Sequence, residues 1–217
     1  MASTITAGNA TNGLAIASDN VGIFQLKTGT GAGTTALTID ASQNATFAGT
    51  VTSTGVITSP TGALYPISTG TAVASTSGTS ILFTGIPSTA KRVTVMFSGV
   101  STSGTSQIIV QLGTSSGLVT SGYLGSSARD GNPALVTAGL PTSNHTSATD
   151  VRNGAVYISS FGANQWISIS SIGLSSTGST GSGGGNITLS GVLDRVNITT
   201  VNGTDTFRVG TVNILWE

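Results

Sequence analysis

An antiparallel all-β architecture follows from three properties of this 217-residue chain. Seven Lys or Arg and seven Asp or Glu make 14 charged side chains, 6% of the total, where ordinary globular domains carry about 25%. Gly, Ser, Thr and Asn take their place, a mixture that favours strands and tight turns over helices. Apolar residues recur among them at period two, as in Val93, Val95 and Phe97 with Thr94, Met96 and Ser98 between. No window places apolar residues at i, i+3, i+4 and i+7 on a background of helix formers, so no coiled-coil stalk is expected.

The first 60 residues hold Asp19, Lys27 and Asp40 as their only charges, and they contain a repeat. Leu14-Ala15-Ile16 followed by Phe24 recurs as Leu37-Thr38-Ile39 followed by Phe47, with the spacing L-x-I-x7-F in both copies and an offset of 23 residues. Ser18-Asp19-Asn20 and Ala41-Ser42-Gln43-Asn44 supply turn formers in the middle of each copy. Each copy therefore reads as a strand, a turn and a returning strand. Two short hairpins bury too little apolar surface to stand alone. Leu14, Ile16, Phe24, Leu37, Ile39 and Phe47 are accordingly expected to form an anchor core that other chains complete.

Gly55, Pro60 and Gly62 punctuate a connector, and the expected boundary lies near residue 62, giving segments 1–62 and 63–217. The second segment is long enough for one core. Alternation continues at 107–112, 155–161, 166–174, 186–193, 195–201 and 209–216, with turn formers between the runs, and the expected fold is an antiparallel, jelly-roll-like β-sandwich. Gly181-Ser182-Gly183-Gly184-Gly185 reads as a flexible hairpin loop, since it lacks the Lys-Ser/Thr of a phosphate loop and opens onto a strand. The run 122–153 is the least strand-like part. It carries Tyr123, Arg129, Asp130, His145, Asp150 and Arg152, and a loop of that length is expected to be a receptor or interface loop.

Chemistry is limited by what is missing. Cysteine is absent, which removes disulfides, thiolate metal sites and thiol nucleophiles. His145 is the only histidine and has no ligand spacing around it, so a loop position in solvent or at a subunit contact is expected. Six Asp and one Glu offer few carboxylate pairs for glycoside hydrolysis; Asp130 and Asp150 flank one run, but each has an Arg close by. No catalytic residue, metal or cofactor is expected. Zero net charge and scattered cations argue against nucleic acid, and no apolar run is long enough for a spanning helix. The opening residues lack the pattern of a secretory signal, so synthesis in a cytosol is expected. Arg129 and Asp130, Asp150 and Arg152, Asp194 and Arg195, and Asp205 and Arg208 are opposite charges close in sequence. Strand alternation would aim Asp194 and Arg195 at opposite faces and give each a different partner.

Residues 70–75, 83–87 and 91–97, together with 194–205, resemble the C-terminal module of tail-fibre and related appendage proteins of tailed bacteriophages. Ala36-Leu37-Thr38-Ile39-Asp40 through Phe47-Ala48-Gly49-Thr50-Val51 is similar to a short fibre segment found upstream of such modules. The resemblance implies a non-enzymatic virion component, a homotrimer assembled in the host cytoplasm. With about 60 residues before the module, it implies a short tail fibre or a head or neck fibre, attached to other virion proteins through residues 1–62. Two other classes stay open. One is a carbohydrate-binding module meeting host surface glycans through the 123–152 loop, and the other, less favoured, is a glycan-degrading tailspike.

Overall fold

Period-two alternation is realised as ladders throughout: among the described residues every regular element is a strand, and every pairing is antiparallel. The structure is a computed structural model that describes residues 23–29, 33–54, 57–59, 62–64 and 67–217. The chain divides into two compact units, 1–64 and 65–217.

In the first unit, β1 (Phe24–Thr28), β2 (Thr34–Ile39) and β3 (Ala45–Phe47) form a sheet in that order. The second repeat copy is the β2–β3 hairpin, with Leu37 opposite Phe47. Its turn is fixed by Asp40, whose Oδ1 accepts the amides of Ser42 and Asn44, both at 2.9 Å, and whose Oδ2 accepts Asn44 Nδ2 at 3.0 Å. These bonds, led by the Asn44 side chain, hold the Asp40 carboxyl below the ordinary range. Phe24, the last residue of the first copy, opens β1 and pairs with Ile39 of the second copy. Leu14 and Ile16 lie outside the described residues. The stretch read as a connector carries β4 (Ile57–Ser59) and β5 (Gly62–Leu64), which pair with each other.

The second unit is a sandwich-like arrangement of two sheets. Its strands are β6 (Ser68–Thr69), β7 (Val73–Ala74), β8 (Ser80–Thr84), β9 (Arg92–Thr102), β10 (Ile108–Thr114), β11 (Gly117–Leu118), β12 (Leu124–Arg129), β13 (Asn132–Val136), β14 (Leu140–Pro141), β15 (Arg152–Gly162), β16 (Gln165–Leu174), β17 (Thr180–Thr188), β18 (Arg195–Thr200) and β19 (Phe207–Trp216). The small sheet runs β11-β10-β18-β8, with β14 added to β10. The large sheet runs β13-β12-β17-β16-β15-β9-β19-β6, with β7 added to β19. Alternate residues of both sheets meet in one core. Ile108, Val110, Leu112, Val196 and Ile198 come from the small sheet, and Val93, Val95, Val156, Ile158 and Ile214 from the large one. Full burial of each such side chain is worth roughly 1.5–3 kcal/mol.

Three sequence expectations are corrected. The run 122–153 contains β12, β13 and β14 and reaches into β15, so about half of it is strand rather than loop. Its overlooked signal is Asp130-Gly131, which forms a two-residue hairpin turn with φ of 47° and 80°, the combination that Asp-Gly serves best. The glycine run is not a loop: it lies in β17, between β12 and β16, and the expected strand 186–193 ends at Thr188. Glycine is required there because the chain from Pro141 to His145 lies against that strand. A Cβ on Gly181 would come within 2.9 Å of both Ser143 and His145, and one on Gly183 within 3.0 Å of the Pro141 carbonyl. Ser170 Oγ completes the contact by donating to the Thr142 carbonyl at 2.5 Å. Finally, Asp194 precedes β18 rather than lying in it, alternation does not apply, and Arg195 pairs with it directly.

Both ends of the large sheet's numbering meet at β19. Leu215 and Trp216 pair with Thr69 and Ser68 of β6, and Glu217 exchanges backbone bonds with Arg92 and forms an ion pair with its side chain.

Candidate functional site

The residues expected in a receptor or interface loop are brought together, but most of them face inward. Tyr123 is buried; its hydroxyl accepts the Leu112 amide at 2.7 Å and donates to the Val119 carbonyl at 2.9 Å, and burial pushes it up to about 12. His145, expected in solvent or at a subunit contact, is fully enclosed by its own chain. Its Nδ1 lies 2.7 Å from Ser143 Oγ and its Nε2 3.4 Å from Ser179 Oγ. Burial is the main influence on this ring and lowers its pKa from the ordinary value, so the neutral form is favoured.

Ser179 Oγ donates at 2.6 Å to Asp130 Oδ2, the chief reason that the Asp130 carboxyl sits below the ordinary range. Asp150 and Arg152 are both buried. Asp150 Oδ2 accepts the Ser147 amide at 3.0 Å and lies 3.7 Å from Arg152 Nη2 and 4.0 Å from Arg129 Nη1. Arg152 donates to the carbonyls of His145 at 2.9 Å and Asp150 at 3.1 Å, while its Nε makes no hydrogen bond. Desolvation lowers the Arg152 pKa. Arg129 bridges both aspartates, with its Nε 3.3 Å from Asp130 Oδ2. The string Ser143, His145, Ser179, Asp130 has the residue types of a hydrolytic triad. Ser143 and His145 are closed to solvent, however, and the string ties the 140–145 chain to the β12–β13 turn and the entry to β17. Of the string and its arginines, Arg129, Asp130 and Ser179 reach the surface.

Two surface features were not read from the sequence. A cleft of about 440 Å³ is lined by Thr114, Ser115, Ser116, Ser190 and Asp194, with Ile86 and Leu193 as apolar walls. Arg195 donates to Asp194 Oδ2 through Nε at 3.0 Å and Nη2 at 2.8 Å, and to the Ser115 carbonyl at 3.2 Å. Both side-chain bonds land on one oxygen, so Oδ1 is available as an acceptor. The second feature is the outward face of the large sheet, where Leu124, Leu135, Tyr157, Ile167 and Ile169 are exposed. Asp205, grouped with Arg208 in the sequence, instead accepts from the Ser106 amide and Asn202 Nδ2. Among the described residues no three of His, Asp and Glu gather as a metal site requires, and none forms a helix long and apolar enough to cross a membrane.

No protein-family model matches this chain, and neither does any curated protein or solved structure.

Proposed function

We propose that the chain is a non-enzymatic structural component of a tailed-bacteriophage particle, a short fibre held to other virion proteins by residues 1–62 and displaying the larger unit. The observation that carries this reading is the condition of the β1–β2–β3 sheet. None of residues 23–29 and 33–54 is buried, and Phe47 stays 51% exposed although it pairs with Leu37. Over the described residues the sheet presents apolar side chains without a core of its own, which suits completion by a partner, through strand addition or side-chain packing. The larger unit has its own core, as a displayed module requires.

Deletion of residues 2–50 tests the assignment. The shortened chain is expected to stay folded and soluble but to be missing from particles assembled in infected cells; normal incorporation would overturn the anchor role.

A second reading, recognition of host surface glycans, moves from the 123–152 run to the hydroxyl-lined cleft. Ser and Thr hydroxyls with a carboxylate held by an arginine suit the exchange of hydrogen bonds with a sugar. Glycan-array binding that is lost in Asp194→Asn supports it, and binding indifferent to that change removes the cleft.

A further inference from the structure

Two Asn-Gly pairs fall among the described residues, and the fold gives them different surroundings. Asparagine before glycine is the most labile setting for an amide side chain in water, because the glycine has no Cβ to keep its nitrogen from the asparagine Cγ. Asn153-Gly154 lies inside β15, with β16 on one side and β9 on the other, and a Cβ on Gly154 would collide with the Ser171 carbonyl. Asn202-Gly203 lies in the exposed β18–β19 turn. Gly203 has a φ of 68° there, and nothing stands within 4 Å of the place a Cβ would take.

The same turn holds the Asn202 amide by its oxygen. Oδ1 accepts from Thr200 Oγ1 at 2.8 Å and from the amides of Thr204 and Asp205 at 3.1 and 3.2 Å, while Nδ2 donates to Asp205 Oδ1 at 2.7 Å. Three donors therefore converge on the atom that takes up negative charge when a nucleophile adds to Cγ, as donors do in an oxyanion hole. The nucleophile, Gly203 N, gives up a single hydrogen bond, to the Thr200 carbonyl at 3.0 Å.

We propose that Asn202 is a site of self-modification, deamidation through a succinimide, and that its product loosens one end of the sandwich. Hydroxide takes the Gly203 amide proton, and Gly203 N bonds to Asn202 Cγ. The Cγ–Nδ2 bond then breaks, and Nδ2 takes a proton from water and leaves as ammonia. A second water opens the ring at either carbonyl and leaves an aspartate or an isoaspartate at position 202. In the aspartate form the new carboxylate stands where Nδ2 donated to Asp205, so two like charges meet at hydrogen-bond distance. Asp205 Oδ2 also accepts the Ser106 amide at 2.9 Å and so ties this turn to the β9–β10 connection, and the product strains that tie.

The inference does not depend on the fibre reading, and peptide mapping by mass spectrometry tests it on the purified full chain. At about pH 8.5 and about 37 °C the peptide carrying Asn202 is expected to gain about 1 Da and to yield isoaspartate, about tenfold or more faster than Asn153 in the same molecules. In urea the two rates are expected to converge. Mapping separates both sites from Asn12-Gly13, which lies outside the described residues. Equal rates in the folded chain would overturn the proposal, and so would a gap that persists in urea, since flanking sequence rather than the turn would then choose the site. Asn202→Asp tests the consequence and is expected to lower the thermal midpoint by about 2–4 °C. Adding Asp205→Asn restores an amide and a carboxylate with their roles exchanged and is expected to recover it. A parental midpoint in Asn202→Asp would overturn the loosening.

Discussion

Arg152 stands beside Asp150 with both side chains almost wholly buried, and the two are held by different kinds of partner: carbonyls for the guanidinium, an amide and two cations for the carboxylate. Removing one partner leaves the other charge in a poorly solvating place. Arg152→Ala is therefore expected to cost about 3–5 kcal/mol, read from chemical denaturation. His145 gives a pH signature of defined sign. An unfolded chain takes up a proton on this ring near its ordinary value of about 6.5, whereas the buried ring resists protonation to lower pH. Below about pH 6.5 the unfolded state then binds more protons, so this contribution is complete above that value and is lost on acidification. The thermal midpoint is expected to fall more steeply between pH 7 and 5.5 in the parent than in His145→Asn; equal slopes would show that the ring does not titrate between the two states. Neither residue's burial was legible in the sequence. Both sit in a polar stretch, and only the packing of the 140–145 chain against β17 encloses them.

At the scale of elements, local pattern located the strands that alternate and failed where glycine replaced the alternation. Val93, Val95 and Phe97 announce a buried face by side-chain type, whereas Trp166 to Leu174 alternates but partly inverts the expectation, with Ser168 and Ser170 buried and Ile167 and Ile169 exposed; both runs lie in strands. β17 has no such contrast, because residues from both faces are small, and its inward glycines answer a contact with a chain segment some 40 residues away in sequence. Gly183→Val is expected to destabilise the larger unit by about 1–3 kcal/mol, since the added carbons meet the Pro141 backbone. Gly173→Ala, in the neighbouring strand and with its nearest atom 4.0 Å from the new carbon, is expected to fall within about 0.5 kcal/mol of the parent. An equal loss of stability in both would mean that the close approach to Pro141 is not the reason for glycine in β17. The Asp130-Gly131 turn, by contrast, was legible by its dipeptide; attention to charge drew the reading of Asp130 toward ion pairing instead.

On the scale of the whole molecule, the two units differ in kind: one has a continuous core and the other, over residues 23–29 and 33–54, has half-buried residues but none that is fully buried. Calorimetry of residues 65–217 is expected to reproduce the main unfolding transition of the full chain within about 2 °C, because that transition reports the core. A larger drop would mean that the first unit supports the second. Which strands neighbour one another was beyond sequence reading, since β10 with β18 and β9 with β19 join segments about 80 to 125 residues apart, and nothing local records such a partner. The same long reach closes the larger unit on itself. Ser68 and Thr69 enter the sheet beside Leu215 and Trp216, so the unit's start and finish emerge side by side at a single edge. A short tether joining those positions, with a new opening cut at the Gly203 turn, should yield a circular permutant that folds, and a cargo grafted at either end would leave from the same place.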